Sequence, residues 1–142
     1  MVATIDSIYR TIPDKQHRAI AGLSIGAMQS MYISANASGS FGYVGLFSSM
    51  MNPVLRKSEY SSFYKGFKGK LALQFETPPD LYSIMIGKTD IYYPRMKSYS
   101  RYLKRMGYPF DMHIAAGGHQ WYNWEKFANI FMQKLWKDYT DE

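Results

Sequence analysis

The sequence predicts an α/β fold: one domain, residues 1–142, with a parallel sheet of about four strands flanked by helices. Three observations predict it. Short apolar runs, of the kind that form strands buried on both faces, recur at 18–23, 41–47, 81–87 and 110–115. Stretches with apolar residues at helical spacing separate most of them. Residues able to do chemistry, Ser24, Asp90 and His119, directly follow three of the runs. In a parallel sheet that places all three at the C-terminal edge, where ligands bind.

The elements follow in order. Val2 to Tyr9 carries apolar residues at Val2, Ile5, Ile8 and Tyr9, a helical spacing, and Pro13 disfavours helix at Ile12. Ala19 to Leu23 is the first strand, and Ala27 to Ala37 is a helix with small residues toward the sheet. Phe41 to Phe47 is the second strand. Ser48 to Gly69, with Pro53 and alternating Tyr, Phe and Lys, reads as irregular, with a short helix within 52–64, lying over the top of the sheet. Leu81 to Gly87 is the third strand. Pro94 to Met106 is a helix, with Pro94 in its first turn and Gly107 as its stop. Phe110 to Ala115 is the fourth strand, and Trp121 to Tyr139 is the last helix.

Composition narrows the chemistry. The chain is 46% hydrophobic, which suits a packed core rather than disorder. A net charge of +6 is compatible with anionic partners, but the basic residues are spread along the chain. Their local concentrations, Arg56-Lys57, Lys65 to Lys70 and Arg101 to Arg105, come without any RRM, KH or zinc-finger pattern, so no nucleic-acid partner is expected. With no cysteine, disulfides and thiolate metal sites are excluded. The three histidines lack ligand spacing, so no metal and no cofactor is expected. No apolar run approaches a membrane span, and the first residues lack the pattern of a signal peptide.

Gly22-Leu23-Ser24-Ile25-Gly26 is a G-x-S-x-G pattern between a strand and a helix, the context of a nucleophile elbow. Such a turn calls for minimal side chains at Gly22 and Gly26 and lifts the serine hydroxyl over the sheet edge. The following helix directs its positive end at a developing oxyanion. The competing reading is a glycine-rich turn with Ser24 as a helix cap. A serine nucleophile needs a base in reach, and the base needs an acid. His119, in a Gly-Gly-His loop, and Asp90 fit those roles, in the chain order Ser, Asp, His. His17 precedes the first strand and His113 lies within one. Asp80 precedes its strand and Asp111 lies within one. Helix-flanking and helix-capping roles remain open for His119 and Asp90.

The stretches RAIAGLSIGAMQS, FGYVGLFSS, IMIGKTDIYY and GGHQW resemble, in order, the carboxy-terminal half of the esterase D / feruloyl esterase family of α/β-hydrolases, carbohydrate esterase family 1-like. The resemblance runs from about Ile5 to Trp136. It implies a partial α/β-hydrolase fold with Ser24 as nucleophile, Asp90 as orienting acid, His119 as base and the Ile25 N–H as one oxyanion donor. It further implies a serine carboxylic-ester hydrolase acting on feruloyl or acetyl esters of plant-wall polysaccharide, or on similar small esters. Members are often secreted or periplasmic. Tyr92, Trp121 and Tyr122 flank the acid and base and could meet an aromatic acyl chain, or pack against the last helix. Ala27 stands where members usually have glycine, and Gln120 where threonine is commoner.

A complete member has roughly another hundred residues before Ile5, supplying the first strands and a second oxyanion donor. The strand 19–23 is therefore expected to have an unpaired outer edge, a template for homo-oligomer formation. Two other functions stay open: a catalytically impaired esterase fragment acting as a self-associating or binding module, and an acyltransferase using the same triad.

Overall fold

The computed structural model describes residues 2–54 and 64–137. Four strands, β1 (Ala19–Leu23), β2 (Tyr43–Phe47), β3 (Leu81–Gly87) and β4 (Asp111–Ala115), form one sheet in the order β1-β2-β3-β4. All three pairings are parallel, with Leu23 opposite Phe47, Phe47 opposite Met85, and Met85 opposite His113. Five helices accompany them: α1 (Val2–Ile8), α2 (Ile25–Asn36), α3 (Phe67–Glu76), α4 (Tyr93–Met106) and α5 (Trp121–Met132).

A sheet whose strands follow chain order, joined by right-handed crossovers, carries all its crossover helices on one face. The core divides accordingly. Even-numbered strand residues Val44, Leu46, Tyr82, Ile84 and Ile86 meet Ala27 and Met31 of α2, Phe67 and Leu71 of α3, and Met96, Tyr99 and Leu103 of α4. Odd-numbered Phe47, Met85 and Ala115 meet Phe127 and Phe131 of α5. Strands sandwiched in this way must be apolar on both faces, which is why they read as continuous apolar runs.

Three expectations need correction. The connection between β2 and β3 contains α3, where no regular element was expected after the irregular stretch that was set to end at Gly69. Phe67, Leu71 and Phe75 repeat at a spacing of four and are buried, but Gly69 and the lysines between them mask the pattern. The last helix stops at Met132 instead of running to Tyr139; turns follow through residue 137. There the Trp136 indole N–H donates to the Gln16 carbonyl, and Lys134 pairs with Asp111, tying the turns to the sheet's lower end. β2 begins at Tyr43 rather than Phe41; the Gly42 N–H donates instead to the carbonyls of Lys15, at 2.7 Å, and Arg18, at 3.0 Å, in the segment before β1. The short helix expected within 52–64 falls mainly outside the described residues; 52–54 and Tyr64 are not helical.

β1 is an edge strand, paired with β2 alone among the described residues. α1 contributes no buried residue; Val2, Ile5 and Ile8 are exposed.

Candidate active site

Each candidate residue sits one to four residues beyond the C-terminal end of a parallel strand, so the topology gathers them at one edge. Ser24 occupies the single residue between β1 and α2. Its φ of 53° and ψ of −112° are sparsely populated by residues with a side chain, a strain of about 1–3 kcal/mol. Its backbone N–H donates to Phe47 O at 2.8 Å, extending the β1–β2 ladder. That holds the strained residue at the edge of the sheet.

The turn is tight on one side only. A Cβ on Gly22 would lie 2.3 Å from the Gly26 carbonyl carbon and 2.8 Å from Ala27 N, so any other residue there pushes α2 off the strand. A Cβ on Gly26 meets nothing within 4 Å. The expectation that both glycines are sterically required holds for Gly22 and fails for Gly26.

Ser24 stands at the N-cap of α2, yet its side chain caps nothing. Its Oγ lies 3.0 Å from His119 Nε2 instead. On the other side of the ring, His119 Nδ1 is 3.0 and 3.2 Å from the two oxygens of Asp90. The Asp90 side chain is fully buried, and the Tyr92 N–H donates to its Oδ1 at 2.8 Å. With Nδ1–H directed at the carboxylate, Nε2 presents its lone pair to the serine hydroxyl. The arrangement is chemically that of a hydroxyl, a base and an orienting acid in line.

The His119 loop is clamped to the Asp90 loop by backbone. Lys88 N–H donates to Ala115 O at 2.8 Å, and Thr89 N–H to Gly117 O at 3.0 Å. A Cβ at Gly87 would stand 2.2 Å from Gly117 O, so the close approach depends on that glycine. Gly117, at φ 89°, makes the turn. The buried amide of Asn123 donates to Gly118 O at 2.9 Å. Two rings stand edge-on to the imidazole, Tyr92 at 5.0 Å and Trp124 at 4.9 Å between centroids. Sequence reasoning missed Gly87, Asn123 and Trp124. The signal for Asn123 was a polar residue one turn into the last helix, on the same face as Phe127 and Phe131.

The other candidates are placed as follows. Ile25 opens α2, and the first N–H groups of a helix have no acceptor within it. Tyr92 packs on His119 with the Arg95 guanidinium over its ring. Trp121 and Tyr122 are 69% and 70% exposed beside the base loop, and Ile25 and Ile91 are similarly open. Three alternatives are engaged elsewhere: His17 pairs with Asp14, Asp111 with Lys134, and the His113 ring packs on Phe127; Asp80 lies before β3, at the opposite end of that strand from Asp90. Among the described residues no group of three His, Cys, Asp or Glu side chains could hold a metal, and no helix is long and apolar enough to cross a membrane.

With this geometry in place, comparison with known proteins decides the family. The family described as "Putative esterase" matches residues 1–133, nearly the whole chain. The chain belongs to this esterase family. Among solved structures, the chain is similar to a ferulic acid esterase at 25% identity (TM-score 0.66), covering 94% of this chain and 55% of that one. The ferulic acid esterase of Anaeromyces mucronatus, solved in complex with ferulic acid, is 21% identical (TM-score 0.74), covering 94% and 50%. The S-formylglutathione hydrolase of Staphylococcus aureus is 17% identical (TM-score 0.74), covering 94% and 57%. The chain thus has the α/β-hydrolase fold in part and spans about half the length of these structures.

Proposed function

We propose that this chain carries the catalytic residues of a serine carboxylic-ester hydrolase. Ser24 is the nucleophile, His119 the general base and acid, Asp90 the orienting acid, and the Ile25 N–H one oxyanion donor. The observation that carries this reading is the unbroken relay from the buried Asp90 carboxyl through His119 to Ser24 Oγ, at 3.0 Å on each side.

The chemistry follows from that relay. Ser24 Oγ attacks the ester carbonyl carbon as its proton passes to His119 Nε2. Asp90 stabilises the imidazolium without taking its proton. The oxyanion faces the Ile25 N–H and the positive end of α2. His119 then protonates the departing alkoxide, leaving an acyl-serine. Water, deprotonated by His119, attacks the acyl carbon; the Ser24 Oγ–acyl bond then breaks as His119 returns the proton to Oγ, releasing the acid.

For substrate, the reading favours feruloyl or acetyl esters of plant-wall polysaccharide, or similar small esters. Family membership supports ester hydrolysis in general. The exposed Ile25, Ile91, Trp121 and Tyr122 form an apolar rim suited to an aromatic acyl group. Replacing Ser24 by Ala should abolish hydrolysis of an activated phenyl ester, and full activity in that variant would refute the proposal. Products analysed with an added alcohol separate hydrolysis from acyl transfer.

A second reading is favoured by the open edge of β1. The chain would be a poor catalyst alone and would complete its cleft by self-association or by joining a polypeptide that supplies the adjoining strands. One lost oxyanion donor costs about 10²–10³ in rate. A phosphonate probe that labels Ser24 only after the amino-terminal part of a full-length relative is added would select this reading over the first.

A further inference from the structure

Two of the basic concentrations in the sequence contribute to one recess, Lys68 from the stretch Lys65 to Lys70, and Arg101 and Arg105 from the other. Arg101, Tyr102 and Arg105 lie three, four and seven residues after Ser98, so the four share one face of α4. Lys68 reaches that face from the first turn of α3. With Val54 they line a recess of about 350 Å³. Its wall includes the largely buried Tyr102 ring, with Lys68 Nζ 6.0 Å and the Arg105 guanidinium 5.6 Å from the ring centre.

The charged side chains that line this recess are all cationic among the described residues. Asp6, Asp14, Asp90 and Asp111 each pair with a basic side chain or a histidine. Lys68, Arg101 and Arg105, like most of the described lysines and arginines, make no ion pair among the described residues, and none of the described residues lining the recess is a carboxylate. Three like charges converging on one small concavity repel one another. A multiply charged anion would relieve that repulsion and receive guanidinium, ammonium and Ser98 hydroxyl donors together. The recess is small, which suits a compact oxyanion better than an extended nucleic-acid backbone.

We propose that the recess between α3 and α4 binds a phosphate-type oxyanion, either free or as a phosphomonoester. The Arg101 and Arg105 guanidiniums and the Lys68 ammonium hold its oxygens, and Tyr102 supports Lys68 and Arg105. This inference is independent of the chemistry assigned to Ser24, so its failure would leave that assignment standing.

The test is calorimetric titration of the wild-type chain with inorganic phosphate, and separately with glucose 6-phosphate, at low ionic strength. Sodium chloride and acetate at matched ionic strength are the controls. The expected result is saturable phosphate binding, weakened about tenfold or more in Arg101→Gln/Arg105→Gln. Phosphate should also raise the melting temperature of the wild type but not of that variant. Without phosphate the variant should melt no lower than wild type, since repulsion has been removed; this also shows that it folds. Tighter binding of glucose 6-phosphate than of phosphate assigns the site to a phosphomonoester; equal binding assigns it to the ion itself. Heats and melting shifts no greater than those of chloride, or the same in wild type and variant, would overturn the proposal.

Discussion

At Gly22 a single hydrogen replaced by a methyl group would collide with the backbone of α2, while at Gly26 it would meet open space. The two glycines of one motif therefore make opposite predictions. Gly22→Ala should destabilise the chain by about 1–3 kcal/mol or more, through overpacking against backbone that cannot rotate away. Gly26→Ala, within the first turn of α2 at an ordinary φ, should leave stability unchanged or raise it by about 0.5–1 kcal/mol. Urea denaturation of the two variants checks both. Asn123 makes a third residue-scale prediction. Its amide holds Gly118 O, the residue before the base. If it serves to position His119, Asn123→Ala should lower kcat on a phenyl ester by about 10-fold or more with little change in KM. An equal effect on KM would instead place it in substrate binding.

Elements were legible in proportion to how fully they are buried. The third strand was read to its last residue, because Tyr82 to Ile86 are all buried and apolar apart from Ser83. α4 was legible through Tyr99, Tyr102, Leu103 and Met106 at helical spacing, between Pro94 and Gly107; of these the first three are buried and Met106 is exposed. α3 was not: its buried stripe is one residue wide, and a buried Gln74 interrupts it. What β3 and α4 share carries its own prediction. The hydroxyls of Tyr82 and Tyr99 bond to each other at 2.8 Å in the core, and burial pushes both phenols well above their ordinary value. A raised folded-state value means that the native state holds these protons longer than the unfolded chain. The associated stability is complete below about pH 10, where unfolded tyrosines are still protonated, and falls as pH rises beyond it. Absorbance titration near 295 nm should show these two tyrosines ionising only as the fold is lost. Reversible ionisation of all tyrosines in the folded state would contradict this.

At the scale of the molecule, the site was legible because topology converts sequence order into position. Any residue that follows a strand in a parallel sheet arrives at the same edge, so Ser24, Asp90 and His119 could be placed together without knowing one distance. What sequence could not supply were the contacts that fix the distances: the Gly87–Gly117 approach, the Thr89 N–H and the two rings against His119. These depend on how α5 and the loops pack in three dimensions. The open edge of β1 followed from the resemblance and is present in the fold. Its consequence is a proposal: the chain should self-associate with rising concentration, as seen by light scattering, and Ala21→Lys, at an exposed position on that strand, should reduce the association. A monomer at high concentration would count against it. Whether Ser24 is the nucleophile is decided by intact-mass analysis after treatment with a fluorophosphonate. One adduct per chain is expected, mapped to Ser24, absent in Ser24→Ala and formed far more slowly in His119→Ala. An adduct that persists in Ser24→Ala, or a rate indifferent to His119, would contradict it.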